Sequence, residues 1–145
     1  MWQSLFNCAV NSSPPPFTTC KSVGSLGEQA CVRFLAARGI EILERNWSCR
    51  YGELDFVCRK DRELIVVEVK TRLDGEHARR HLFDNITRRK RRKLALLAQI
   101  YFEKYRRRCG FEALRVDVIG VLLCPKTGLP KELRHLEAAL GSEER

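Results

Sequence analysis

Two β-patterned runs lie close together in this chain and constrain its fold more than any other feature. Glu53 to Arg59 (ELDFVCR) alternates apolar and polar residues, and Glu63 to Arg72 (ELIVVEVKTR) is rich in β-branched residues. Only Lys60-Asp61-Arg62 separates them. Runs of this kind joined by so short a segment predict an antiparallel hairpin. The hairpin also carries charge where a strand normally carries core residues. Glu68 and Lys70 share one face of the second run, because side chains alternate along a strand.

The position of Asp55 depends on register. A two-residue turn at Lys60-Asp61 places it opposite Val66 and diagonal to Glu68. A turn at Asp61-Arg62 places it opposite Glu68 itself. Either register puts the two carboxylates on one face, whereas a three-residue turn would separate them. Facing carboxylates on paired strands repel. A hard cation removes that cost, since Mg²⁺ takes oxygen ligands and often binds through one or two carboxylates plus a substrate phosphate. Lys70, one step along the same face, would then polarise a water or stabilise phosphate charge. Each residue also has a plain reading as a solvent-facing strand charge. The set gains weight from what surrounds it.

Those surroundings are basic. Lys and Arg number 27 against 18 Asp and Glu, a net charge of +9. The excess clusters in Arg79, Arg80, Arg88, Arg89, Lys90, Arg91, Arg92 and Lys93. A local cationic tract on a globular chain favours a polyanionic partner, here nucleic acid. No apolar run approaches the roughly 20 residues that span a bilayer, so no membrane role is expected. The seven cysteines are odd in number and lack C-x-x-C spacing, which points to reduced, buried thiols in a cytosolic protein rather than to zinc or disulfides.

The remaining elements follow from periodicity. With 145 residues the chain suits one domain. Residues 1–23 hold a proline triplet and no apolar rhythm, and are expected to be a flexible extension; residues 24–145 form the domain. Ser25 to Arg38 reads as a helix, with Ser25 and Glu28 as a capping box. Ile40 and Ile42 open a strand, and Arg72 to Ile86 reads as a loop. Thr87 caps a long helix to Arg108, with Gly110 closing it; its apolar stripe is Leu94, Leu97, Ala98, Tyr101 and Tyr105, and Lys90 begins on that core-facing side. Arg115 to Leu123 reads as a strand buried on both faces. Asp117 within it must be paired, with Arg115 or a chain amide as the expected partner. Leu133 to Leu140 reads as a last short helix. The order α-β-β-β-α-β predicts an α/β fold with a single mixed sheet flanked by helices.

Gly27-Glu28, Arg45-Asn46-Trp47, Gly52-Glu53-Leu54-Asp55 and Val67-Glu68-Val69-Lys70-Thr71-Arg72 resemble the YraN-like family of bacterial proteins. That family is placed in the PD-(D/E)XK nuclease superfamily, near archaeal Holliday-junction resolvases. The resemblance covers roughly residues 24–140. It implies a restriction-endonuclease-like fold, Asp55 and Glu68 as ligands of Mg²⁺ or Mn²⁺, and Lys70 as the catalytic lysine. Glu28 matches the acid of the first helix, a position its capping-box role explains as well. Leu54 stands where the superfamily name has proline. Glu53 is left as a neighbour of the site. The functional expectation is a metal-dependent endonuclease-like domain on branched or structured DNA, with Arg79, Arg80, Arg88, Arg89, Lys90, Arg92 and Lys93 on the nucleic acid; a homodimer would suit two-strand cleavage. The alternative is a non-catalytic nucleic-acid-binding module of the same fold, and a third reading is an RNA- or ribosome-associated factor.

Overall fold

A computed structural model describes residues 20–140 of the chain. Helix α1 spans Cys20–Ala37, followed by strands β1 (Glu41–Cys49), β2 (Gly52–Lys60) and β3 (Glu63–Leu73). A short helix α2 (Glu76–His81) and a long helix α3 (Arg88–Cys109) lead to β4 (Ala113–Leu123) and β5 (Pro130–Leu136). The five strands form one sheet in the order β1-β2-β3-β4-β5. Only β3 and β4 run parallel, and the other neighbours are antiparallel. This is the expected mixed sheet flanked by helices, in a restriction-endonuclease-like arrangement.

The two faces of the sheet bury two cores. Ala30, Phe34 and Leu35 of α1 pack on Phe56, Cys58, Ile65, Val67, Ile119 and Val121. On the opposite face Leu94, Leu97, Ala98 and Tyr101 of α3 pack on Leu54, Val57, Leu64, Val66 and Val116. β4 sits between β3 and β5 and is buried from Val116 to Leu123, as its continuous apolar run requires.

Three local expectations are corrected. The first helix begins at Cys20 rather than Ser25, so Ser25 and Glu28 lie inside it and form no capping box. Val23 packs against the α1-side core, and that contact carries the helix past the residues that looked like its start. Residues 1–19 of the expected extension lie outside the described residues. The expected loop from Arg72 to Ile86 contains α2. Its anchors are Leu82 and Ile86, both buried, and Asp74, which Arg79 grips with Nε and Nη2 at 2.6 and 2.7 Å. Finally, the expected helix at Leu133 to Leu140 is strand β5 followed by a turn. A strand buried on both faces has backbone groups to satisfy along both edges. β3 satisfies one edge of β4, and the chain turns back at Pro125 to Gly128 so that β5 satisfies the other. That need outweighs the helical spacing of Leu133, Leu136 and Leu140.

Asp117 is fully buried and paired as expected. It accepts from Arg115 Nε at 2.9 Å, from the Ala138 amide at 2.9 Å, and bonds His135 Nε2 at 2.8 Å. Burial pushes its carboxyl up, but His135, the Ala138 amide and Arg115 together hold it below the usual range. Cys31, Cys49, Cys58, Cys109 and Cys124 are free thiols; Cys31 and Cys58 are buried as expected, whereas Cys49, Cys109 and Cys124 are half-buried. Burial also pushes the Cys58 thiol up to about 12, which makes it inert at neutral pH. Among the described residues no helix is long and apolar enough to cross a membrane.

Candidate active site

The hairpin uses the turn at Asp61-Arg62. Lys60 pairs with Glu63 and the ladder runs regularly to Phe56 opposite Val67. One further step would set Asp55 opposite Glu68, but the regular pairing stops there. Leu54 packs into the α3-side core and Phe56 into the α1-side core. Residues two apart on a regular strand share a face, so β2 breaks step at Asp55. The neighbouring strand shows the same irregularity. Arg45 pairs with Phe56 and Trp47 with Leu54, and Asn46 between them has φ of 52°. β2 and β3 therefore part at Asp55, and the Asp55 carboxylate takes the place of a ladder acceptor, receiving the Val69 amide at 2.9 Å.

A cleft of about 650 Å³ opens at this parting. Glu28, Glu53, Asp55, Glu68, Lys70 and Lys90 line it. A smaller cavity of about 260 Å³ adjoins it and shares Glu53, Asp55, Glu68 and Lys90, adding Gly52 and Lys93. Glu68 is buried, and its Oε1 receives two ammonium groups, Lys90 Nζ at 2.6 Å and Lys70 Nζ at 3.0 Å. Burial alone would raise the Glu68 carboxyl; Lys90 and then Lys70 outweigh it and hold the carboxyl below its ordinary value. Asp55 behaves oppositely. Burial and the Glu68 charge push its carboxyl up to about 7, against the Val69 amide, which lowers it. Burial likewise drives the Lys70 ammonium down.

Glu28 reaches the cleft because α1 comes very close to β3. A Cβ at Gly27 would sit 1.8 Å from Thr71 Oγ1 and 2.6 Å from its Cγ2. Only glycine allows that approach, which puts the next residue, Glu28, beside the strand carrying Lys70. Gly52 has φ of 148°, a backbone that suits glycine, and the Lys93 side chain crosses directly over it. Glu53, left as a neighbour of the site, lines both cavities. Thr71, Arg72 and Lys93 also border them.

The basic residues divide into two groups. Thr87 caps α3 by accepting the Lys90 amide at 3.2 Å, and Gly110 closes the helix with φ of 70°. Arg88, Arg89, Arg91, Arg92 and Lys93 are exposed on its first two turns and make no ion pair among the described residues. Arg79 and Arg80 are on α2 and are engaged elsewhere. Arg79 clamps Asp74, which also holds Lys131, and Arg80 pairs with Glu76 at 2.8 Å.

The donor set sets limits on a metal. Among the described residues no group of three Asp, Glu, His or Cys is placed to hold an ion. Asp55 and Glu68 alone form a two-carboxylate pair, strained by its own repulsion. That set fits Mg²⁺ or Mn²⁺, which keep waters and take a substrate phosphate to complete their shell, and does not fit zinc.

A mixed sheet parted at an aspartate, with a glutamate and lysine on the adjoining strand, defines an α/β protein with a restriction-endonuclease-like fold and a charged cleft at the parting. Comparison of sequences gives the family. The model of the uncharacterised protein family UPF0102 matches residues 27–121, and the chain belongs to that family, the one its motifs resemble. A UPF0102 protein of Mycobacterium tuberculosis strain H37Rv is 42% identical over 119 residues, covering 79% of this chain and 89% of the relative. One from Dictyoglomus turgidum is 36% identical over 106 residues, covering 73% and 86%. One from Mycobacterium ulcerans is 42% identical over 105 residues, covering 71% and 83%.

Proposed function

We propose that this chain is a nucleic-acid-binding, divalent-metal-dependent, endonuclease-like protein that hydrolyses phosphodiester bonds, with branched or structured DNA as its substrate class. One observation carries the reading. The Asp55 and Glu68 carboxylates meet where β2 parts from β3, with the Lys70 ammonium 3.0 Å from Glu68 and, beside them, a basic helix start that has no acid in its first turn. A cation explains why two mutually repelling carboxylates, one buried and one half-buried, are set beside an open cleft.

Asp55 and Glu68 would hold Mg²⁺ or Mn²⁺, which when bound would supply Lewis-acid polarisation of a phosphate and a more acidic water. The Val69 amide fixes one oxygen of Asp55 at 2.9 Å. Lys70, lowered by burial, hydrogen-bonds the attacking water or the developing phosphate charge from Nζ. Arg88, Arg89, Arg92 and Lys93 hold the backbone of the nucleic acid through phosphate contacts. Glu28 orients water from the α1 side of the cleft.

A second reading, a non-catalytic binding module, draws on a different fact: two lysines already answer the Glu68 charge without any ion. A cleavage screen separates the two. Duplex, flap, fork and four-way junction DNA are incubated with the full chain in Mg²⁺ or Mn²⁺, alongside Asp55→Asn and Lys70→Ala. Cleavage by wild type that both variants lose is the expected result. Binding without cleavage on every substrate and with both ions would leave the binding module standing.

A further inference from the structure

We infer that Lys90 is a built-in counter-ion of Glu68 that yields the carboxylate when a divalent cation binds, so that cation binding releases a basic group at the start of α3 for phosphate. The inference rests on the proposed metal reading and names how that site is controlled.

Lys70 and Lys90 both bond the same oxygen, Glu68 Oε1. They are not equivalent. Lys70 comes from β3 itself, two residues from Glu68 on the same face, and stays near it in any state of the site. Lys90 comes from the first turn of α3, 22 residues away along the chain, and its side chain is 36% exposed. Its flexible stem can turn to solvent without moving the helix. A dication on the Asp55–Glu68 pair and two ammonium groups on one Glu68 oxygen would place too much positive charge in one spot. The ammonium with somewhere else to go is Lys90.

Its destination is prepared. The first turn of α3 carries Arg88, Arg89, Lys90 and Arg91 and no acid. Cations at a helix N-terminus oppose the helix dipole, and that end attracts anions instead. Among the described residues Lys90–Glu68 is the one ion pair made by residues 88–93. Breaking it adds a charge to a cluster with no carboxylate left to pair with, which a phosphate then satisfies. Cation and polyanion would therefore each strengthen binding of the other, since such coupling is reciprocal.

The direct test is Mn²⁺ binding to the full chain by titration calorimetry, with no nucleic acid present. Removing a competing ammonium should tighten the cation, so the Kd of Lys90→Met should fall roughly fivefold or more, the size of a partly exposed charge-assisted contact. Lys90→Arg, which keeps the charge, should stay near wild type. Lys104→Met removes a charge from the same helix far from the cleft and should change nothing. If Lys90→Met fails to fold, Lys90→Gln carries the same expectation. An unchanged or raised Kd would overturn the counter-ion role and make Lys90 a plain structural pin on α3. If neither wild type nor the variants bind Mn²⁺, the metal reading fails first and this inference falls with it; that outcome is distinct from metal that binds but ignores Lys90.

Discussion

The carboxylate of Asp55 stands 2.9 Å from the amide of Val69, fourteen residues on, in the place where a β2 carbonyl would stand if the hairpin ladder continued. A side chain thus closes the ladder and opens the cleft at the same point. The bond is not free of cost. The same carboxylate is half-buried and lies against Glu68, and the two effects push its pKa up to about 7.

That shift has a sign that can be measured. An acid whose folded pKa is raised binds protons more tightly when folded, so its favourable contribution is complete below the unfolded value near 4 and is lost as pH rises toward 7. Wild type should therefore lose stability over that window without metal. Asp55→Asn cannot ionise and should remove this loss, raising stability at pH 8 by about 1–3 kcal/mol relative to wild type, with little difference at pH 4. Urea unfolding of both proteins at the two pH values decides it. Equal stability at pH 8 would mean that Glu68 and Asp55 are not in electrostatic contact.

The basic tract divides by partner rather than by position in the sequence. Arg88, Arg89 and Arg92 are exposed and make no ion pair among the described residues, so each is available to a phosphate. Changing all three to Ala should flatten the log–log salt dependence of duplex binding by about 2.7, at about 0.9 per contact. Arg79 should behave differently. It holds Asp74 through two hydrogen bonds and, with Lys131, keeps that carboxylate well below its usual range. Arg79→Ala should lower the melting temperature through the loosened α2 and leave the salt slope nearly intact. A slope that changes as much for Arg79→Ala as for one α3 arginine would put α2 in the interface.

Local signals made part of this architecture readable in advance. Alternation and a short turn located Asp55 and Glu68 within one hairpin, and the observed Asp61-Arg62 turn is one of the two that were expected to put both carboxylates on one face. The caps at Thr87 and Gly110 were legible because capping is chemistry within three or four residues. Periodicity placed Lys90 on the core-facing side of its helix, able to point along the sheet edge toward the site and a phosphate; that it lands on Glu68 was not legible, since this depends on how α3 docks across the sheet. The parting of β2 from β3 at Asp55 was hidden for a similar reason: it shows only in which core Leu54 and Phe56 enter. β5 was misread because Leu133, Leu136 and Leu140 keep helical spacing, while the demand that made a strand of them sits on β4.

Gly27 offers the sharpest test of how the site is assembled. It is the point where α1 meets β3, and a Cβ there would fall 1.8 Å from Thr71 Oγ1. No contact so short survives, so Gly27→Ala must displace either the helix or the strand. Overpacking of this kind costs about 1–3 kcal/mol. The consequence reaches the cleft, because Glu28 follows Gly27 directly and Lys70 precedes Thr71. Gly27→Ala should lower the melting temperature and, where cleavage is seen with wild type, reduce it by moving the helix that brings Glu28 to the site. Thr71→Ala removes Oγ1 and Cγ2, two of the three atoms in the way. The double variant Gly27→Ala, Thr71→Ala should therefore recover part of the stability that Gly27→Ala alone loses, against a small cost for Thr71→Ala by itself. Such non-additivity is the signature of two residues in contact. If the two losses simply add, Gly27 and Thr71 are not packed together, and the route by which α1 positions Glu28 lies elsewhere.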